Sequence, residues 1–244
     1  MNAKTQRILA LTGKELYSYA NSPVLYGIVV FFLLFASIWL FNLQQYFVRD
    51  SASLRPYFAS FPIIYVLVIP VLTMKSWAEE RKLGSAELLL TMPFSEWDLV
   101  LGKFFASLSV LLLILVLTIP LPLSLVPLGR YDGGVIFGEY AGALLLGASA
   151  AALGHLLSAL SKNQAGAFLG SVVILLIVMF INLIPQSVDM PPAAASLVNF
   201  ISLSFHFESF SKGLIDSRDL AFFILSTVLF LYLNTQVLLF RKWR

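Results

Sequence analysis

The sequence predicts an all-α membrane protein with six transmembrane helices, preceded by an amphipathic helix lying on the membrane surface. Three observations carry this. The 244 residues are 59% hydrophobic and 12% charged, against about 25% charged in a soluble domain. Its 16 basic and 13 acidic side chains are too few to coat a globule in water. Six stretches hold the roughly 20 mainly apolar residues that a helix needs to cross the hydrocarbon. The basic residues fall mostly in alternate connections. Strands of a membrane barrel would alternate in polarity over about 10 residues, whereas residues 29–35 and 110–117 are apolar on every face.

Residues 1–22 come first. At 100° per residue, Lys4, Arg7, Lys14 and Glu15 share one face, and Ile8, Leu9, Leu16, Tyr19 and Ala20 share the other. Leu11 breaks the pattern. Such a helix lies apolar side down in the interface, and Pro23 then turns the chain into the first span. The apolar stretch that follows is too long, and its polar lead too extended, for a cleavable signal peptide.

The expected spans are residues 24–43, 58–72, 104–128, 140–160, 165–185 and 220–240. The second is the shortest and carries Pro62 and Pro70, which predict a kink. The third should be regular to Ile119 and irregular after it, because Pro120, Pro122 and Pro127 follow. The fourth and fifth carry small residues every four positions: Gly138, Gly142, Ala143, Gly147 and Ala151, then Gly166 and Gly170. That spacing lets helices approach closely, and the short link 161–164 predicts that these two pack on each other. His155 reads as a hydrogen-bonded structural histidine, and Asn182, Asn234 and Gln236 as interhelical or interfacial hydrogen bonders. In residues 186–219, Leu197, Phe200, Leu203, Phe207, Phe210 and Leu214 share a helical face, with Glu208 and Lys212 opposite as an i,i+4 pair. One or two short external helices dipping into the leaflet are expected there.

Orientation follows from Lys and Arg in short loops. With both termini inside, the inner segments hold eleven of the 16 basic residues (Lys4, Arg7, Lys14, Lys75, Arg81, Lys82, Lys103, Lys162, Arg241, Lys242, Arg244). Both termini are therefore expected in the cytoplasm, with residues 1–244 forming a single transmembrane domain.

One inner connection differs from the rest. Residues 75–103 carry nine charges: Lys75, Glu79, Glu80, Arg81, Lys82, Glu87, Glu96, Asp98 and Lys103. Trp77 reads as an interface anchor. Residues 78–83 should prolong the second span as a charged helix, and Gly84 permits a turn. Ser85 can cap a short helix, 86–92, with an apolar Leu88-Leu89-Leu90 surface that Pro93 stops. Ser95 and Asp98 form a capping box opening the third span. A helix of two turns is not stable alone in water, so a cytosolic partner is expected to cover it.

The run Glu79-Glu80-Arg81, Gly84, Glu87-Leu88-Leu89-Leu90-Thr91, Pro93, Ser95 and Val100-Leu101-Gly102-Lys103 resembles the first cytoplasmic loop of ABC-2 type ABC transporter permeases. It is most similar to the gliding-motility-associated permease and the permease of nitrous oxide reductase clusters. The resemblance implies an ABC-2, type V exporter-like fold with an N-terminal elbow helix. It implies that 84–93 is a coupling helix seated in a separate ATPase subunit, with Glu79, Glu80 and Arg81 bracing it by ion pairs. It also implies a second permease copy or a related permease as partner. For the gliding-type group it implies a membrane-anchored auxiliary protein with a large external domain. No cofactor is expected on this chain, since ATP and magnesium would sit on the ATPase; no nucleic acid is expected as a partner.

The chain has no G-x-x-x-x-G-K-[ST] phosphate loop, so an ATPase would be another polypeptide. It has no cysteine, which removes thiolate metal sites and cysteine nucleophiles. Two other function classes fit less well. An intramembrane protease of the prenyl-protein type needs Glu-Glu-x-x-x-Arg, and Gly84 stands at the Arg position. A rhomboid-like one would have to pair Ser149 with His155 on the same helix. A secondary carrier would place a charge near mid-membrane, and none is apparent in the spans as read. Substrate identity does not follow from the fold.

Overall fold

Local signals set the helix boundaries. In the computed structural model, which describes residues 3–48, 53–82, 84, 94–129, 131–188, 190–213 and 216–242, each span starts at a proline or a capping side chain. Pro23 occupies the first turn of span one, Pro23–Val48, where its missing N–H costs nothing. Ser95 makes the expected capping box with Asp98, its hydroxyl accepting from the Asp98 N–H at 3.2 Å. That box opens span three, Glu96–Leu128. Asp132 accepts from Gly134 N at 2.8 Å to start span four, Gly133–Leu160. Asn163 accepts from Gly166 N at 2.7 Å to start span five, Gln164–Ser187. Span two runs over Arg55–Lys82 and span six over Ser217–Phe240.

Several boundaries differ from the sequence reading, each for a local reason. Span two is long, because helix Phe61–Thr73 continues past a turn at Met74 into the charged helix Lys75–Lys82. Span three is regular to Thr118 and breaks at Ile119 as expected, but the exit is more ordered than expected, a short helix and then a 3-10 turn, Val126–Leu128. Pro120 sits in the first turn of that short helix, Pro120–Leu125, the position that proline tolerates. Span four begins seven residues before the expected 140, which brings Glu139 into the helix. Span one passes through a π-helical turn, Trp39–Leu43, and ends in a 3-10 turn, Tyr46–Val48.

The spans divide into inner and outer ones. In spans two and four, 72% of the most apolar stretch is buried, against 28% in spans one, five and six. Span four packs against spans two, three, five and six, while span one leans on spans two and three and on the N-terminal helix. The core holds an aromatic cluster in which Phe32 of span one meets Phe61 of span two edge-on at 5.1 Å. Phe58 meets Tyr140 in the same way at 4.9 Å. Outside the spans, two short helices, Pro192–Ile201 and Leu203–Ser211, precede span six.

The N-terminal helix, Ala3–Ala20, packs along the start of span three. Leu11, which spoiled the expected stripe, is its most buried side chain, whereas Leu9 is 53% exposed. The reason lies in the partner. Gly102 presents bare backbone, and a Cβ there would stand 2.7 Å from Leu11 Cβ. Thr12 Oγ1 donates to the Gly102 carbonyl at 3.2 Å. The contact face is therefore Ile8, Leu11, Thr12, Glu15 and Tyr19, and Glu15 is turned inward.

Candidate functional site

The base of the 75–103 loop is a buried polar junction that ties the N-terminal helix to spans two and three. Lys103, one turn beyond the Leu99–Val100 core contact, is 5% exposed. A buried ammonium needs partners, and it has two: Glu15 Oε1 at 2.9 Å and Glu80 Oε1 at 2.8 Å. Lys14 stands 4.0 Å from both carboxylates, so two charges of each sign balance. Beneath them Lys103 Nζ lies 5.0 Å from the centre of the Trp77 ring, a cation–π distance. Trp77 is 2% exposed; it is a floor for this cluster rather than an interface anchor. Tyr19 donates to the Leu72 carbonyl at 2.8 Å. Burial and the neighbouring Glu15 carboxylate push its phenol above the ordinary tyrosine range, which keeps it a donor.

A second network joins spans two, three and four at the same level. Arg81 Nη2 donates to the Ser158 carbonyl at 2.9 Å and also to the Ala159 carbonyl. The guanidinium thus caps the carbonyl end of span four, where a cation is favoured. Ser158 Oγ donates to the Met74 carbonyl at 3.1 Å and accepts from Trp77 N and Ala78 N at 3.2 and 3.4 Å. One hydroxyl therefore mends the helix break at Met74. His155 bridges Ser76 and Ser107, each at 2.9 Å. Ser107 already donates to the Phe104 carbonyl at 2.8 Å, so it accepts from His155 Nε2–H and Ser76 donates to Nδ1. The expected structural role for His155 is what this geometry supplies.

Of the loop residues singled out from sequence, Glu80 and Arg81 thus reach across to other elements. Glu79 is half-buried with no ion-pair partner among the described residues. Gly84 follows the helix with φ +69°, the left-handed conformation glycine adopts freely. Ser85, Glu87, Leu88, Leu89, Leu90, Thr91 and Pro93, with the helix expected over 86–92, lie outside the described residues.

The glycine ladder serves other partners than expected. A Cβ on Gly138 would meet the Phe210 carbonyl, on Gly142 the Phe210 ring, and on Gly147 the Leu111 side chain of span three. A Cβ on Gly166 would touch only its own cap, Asn163, and on Gly170 nothing within 4 Å. Spans four and five do pack together, but not through facing glycines. Asn182 accepts from Ser202 at 3.0 Å, as an interhelical bonder should. Asn234 is fully buried, and neither side-chain polar atom has a hydrogen-bond partner among the described residues.

Two polar sites lie at the opposite end. His206 Nδ1 is 2.6 Å from Asp219 Oδ1, its Nε2 is 3.0 Å from the Phe200 carbonyl, and its ring stacks on Phe222 at 3.8 Å. Both nitrogens face oxygen atoms of other residues. This pins helix Leu203–Ser211 to the start of span six. A break at Ser202 turns Leu197 and Phe200 outward, so the expected single apolar face is split in two. No ion pair joins Glu208 to Lys212 among the described residues. Glu139 is 0% exposed, and neither carboxyl oxygen has a hydrogen-bond partner among the described residues. It borders a 230 Å³ cavity that Arg55, Tyr131 and Asp132 also line. A buried carboxyl left unsatisfied costs stability, so Glu139→Leu should leave thermal stability unchanged or raise it by about 1–2 kcal/mol. Melting of the detergent-solubilised protein checks this, and a fall of similar size would show that the cavity supplies compensation.

Comparison with family models matches residues 42–239 to the ABC-2 family transporter protein model, most of the chain. Comparison with curated proteins gives no match.

Proposed function

This chain belongs to the ABC-2 family of transporter proteins and is a membrane permease component of an ABC transporter, and we propose that ATP hydrolysis by a separate subunit drives it through the 75–103 loop. The observation that carries this reading is the double anchoring of the loop's base. Glu80 and Lys103 tie its two ends to each other and to Glu15 of the N-terminal helix. Arg81 and Ser158 tie its first arm to span four. A push on residues 84–93 would thus reach spans two, three and four together. In this reading Glu87, Leu88, Leu89, Leu90, Thr91 and Pro93 meet the ATPase, Gly84 provides the turn, and Glu79 borders the junction. ATP and magnesium stay on the partner.

The finer features of the reading follow from chemistry and layout. The excess of Lys and Arg on one side supports cytoplasmic termini in a bacterial inner membrane. The exposed apolar faces of spans one and five support a second permease copy. The loop's similarity to gliding-type permeases supports an auxiliary protein with a large external domain and an output of export or mechanical work. An ion-coupled carrier is the second reading, and Glu139 is the observation that favours it.

The test is purification from the native host. The expected result is co-purification of an ATPase in stoichiometric amount, lost in Leu89→Asp and Gly84→Val variants that still fold. Transport by the lone chain under an ion gradient without ATP, abolished by Glu139→Gln, would establish the carrier instead.

A further inference from the structure

Between the N-terminal helix, span one and span two lies a cavity of 330 Å³. It adjoins a groove of 390 Å³ between spans one and two, and the two share Val24, Ile28 and Val71. Each falls in the range of about 300–1,000 Å³ of small-molecule sites. The cavity has mixed walls, with charged and hydroxyl groups beside Leu25, Ile28 and Leu72, and the groove is apolar, with Phe31, Leu67 and Val68 in its walls. Gly27 leaves it open, since a Cβ there would meet nothing within 4 Å. Phe31 and Leu67 are 38% and 42% exposed, so the groove opens sideways, where the hydrocarbon lies. A chamber with charged groups in its wall at the end bearing the charged loop, continuing into a lateral apolar groove, has the shape of one amphiphile of the adjoining leaflet.

The charges in the chamber specify the head group. Lys103 and Lys14 stand against Glu15 and Glu80, two charges of each sign. Lys75 and Glu79 also line the chamber, both half-buried, and neither has an ion-pair or hydrogen-bond partner among the described residues. Ser18 and Ser22 add hydroxyls. A phosphate suits Lys75, and a primary ammonium can donate hydrogen bonds to Glu79. A choline head group has no N–H to give Glu79, and a purely anionic one would face its carboxylate. We propose that this chamber and groove hold one phosphatidylethanolamine-type phospholipid as a resident lipid, its phosphate on Lys75, its ammonium on Glu79 and an acyl chain along Gly27 and Val71. The site is independent of what the protein transports and of the ATPase.

Native mass spectrometry of the full chain, equilibrated with equal amounts of phosphatidylethanolamine, phosphatidylcholine and phosphatidylglycerol, tests it. Wild type should retain one ethanolamine lipid per chain in preference to the others. Lys75→Gln with Glu79→Gln should lower that retention about tenfold, the loss expected for a charge-assisted contact. Glu79→Lys should move the preference to phosphatidylglycerol. Gly27→Trp should empty the groove of all three lipids, and melting curves report whether each variant is folded. Retention of the three lipids in equal proportion, or unchanged selectivity in both head-group variants, would overturn the proposal. So would a dimer that excludes lipid from the groove because a second copy fills it.

Discussion

Lys103→Met should destabilise the protein by about 3 kcal/mol, the low end of the cost of removing one partner from a buried ion pair. For a chain of this size that is a fall of roughly 6–12 °C in Tm. The low end applies because the carboxylates left behind are not sealed off: the Glu15 and Glu80 side chains are 18% and 13% exposed. The cost comes from those two carboxylates, which would lose the ammonium they share, while Lys14 stands 4.0 Å from each. Adding Glu15→Gln and Glu80→Gln to Lys103→Met should therefore recover most of the loss, although it removes more native charge. If Lys103 merely packed on Trp77, the triple variant would be no more stable than the single one. A Tm shift below 2 °C for Lys103→Met would remove the junction from any account of how the loop is held. In the assembled transporter the same variant should lower ATP-driven turnover beyond its effect on folding, because Lys103 and Glu80 link the loop's two ends.

The sequence made the helices legible and the junction invisible, for one reason: spans and caps are local signals. Apolar runs of the right length mark the membrane crossings. Ser95 and Asp98 mark the start of span three with three residues of spacing, and Gly84 marks the end of the charged helix by its backbone. Lys103 by contrast takes its meaning from Glu15, 88 residues away, and Glu80, 23 residues away. Nothing in the periodicity of the N-terminal helix turns Glu15 inward; the bare backbone at Gly102 does, by seating Leu11 and rotating the helix about it. Trp77 reads as an interface residue until Lys103 is placed above it. Glu139 was missed through a boundary: with the fourth span begun at 140 it is a flanking acid, and with Asp132 as cap it is six residues inside a helix. A cap read at Asp132 and Gly134 would have exposed it.

Gly154→Ala should be costly, Gly147→Ala milder and Gly170→Ala harmless, an order the small-residue spacing alone does not give. A Cβ at Gly154 would stand 2.4 Å from Thr73 Oγ1 and 3.1 Å from its Cβ and Cγ2. Thr73 is fully buried, and its hydroxyl already donates to the Ile69 carbonyl at 2.9 Å. A β-branched side chain is stiff at χ1, so the backbones of spans two and four must part, at about 1–3 kcal/mol. At Gly147 the clash is 2.2 Å to Leu111 Cδ2, the far end of a flexible side chain that can turn away. At Gly170 the added methyl meets open space, and the better helix propensity of alanine should stabilise by up to about 1 kcal/mol. Thr73→Ala in the Gly154→Ala background should restore part of the loss, a coupling that a double-mutant cycle measures directly. Equal melting losses at Gly154 and Gly170 would mean that the ladder seals spans four and five after all. The graded result would instead place the tight seam between spans two and four, next to His155 and one helical turn from Ser158, on the path by which a push on the loop would enter the core.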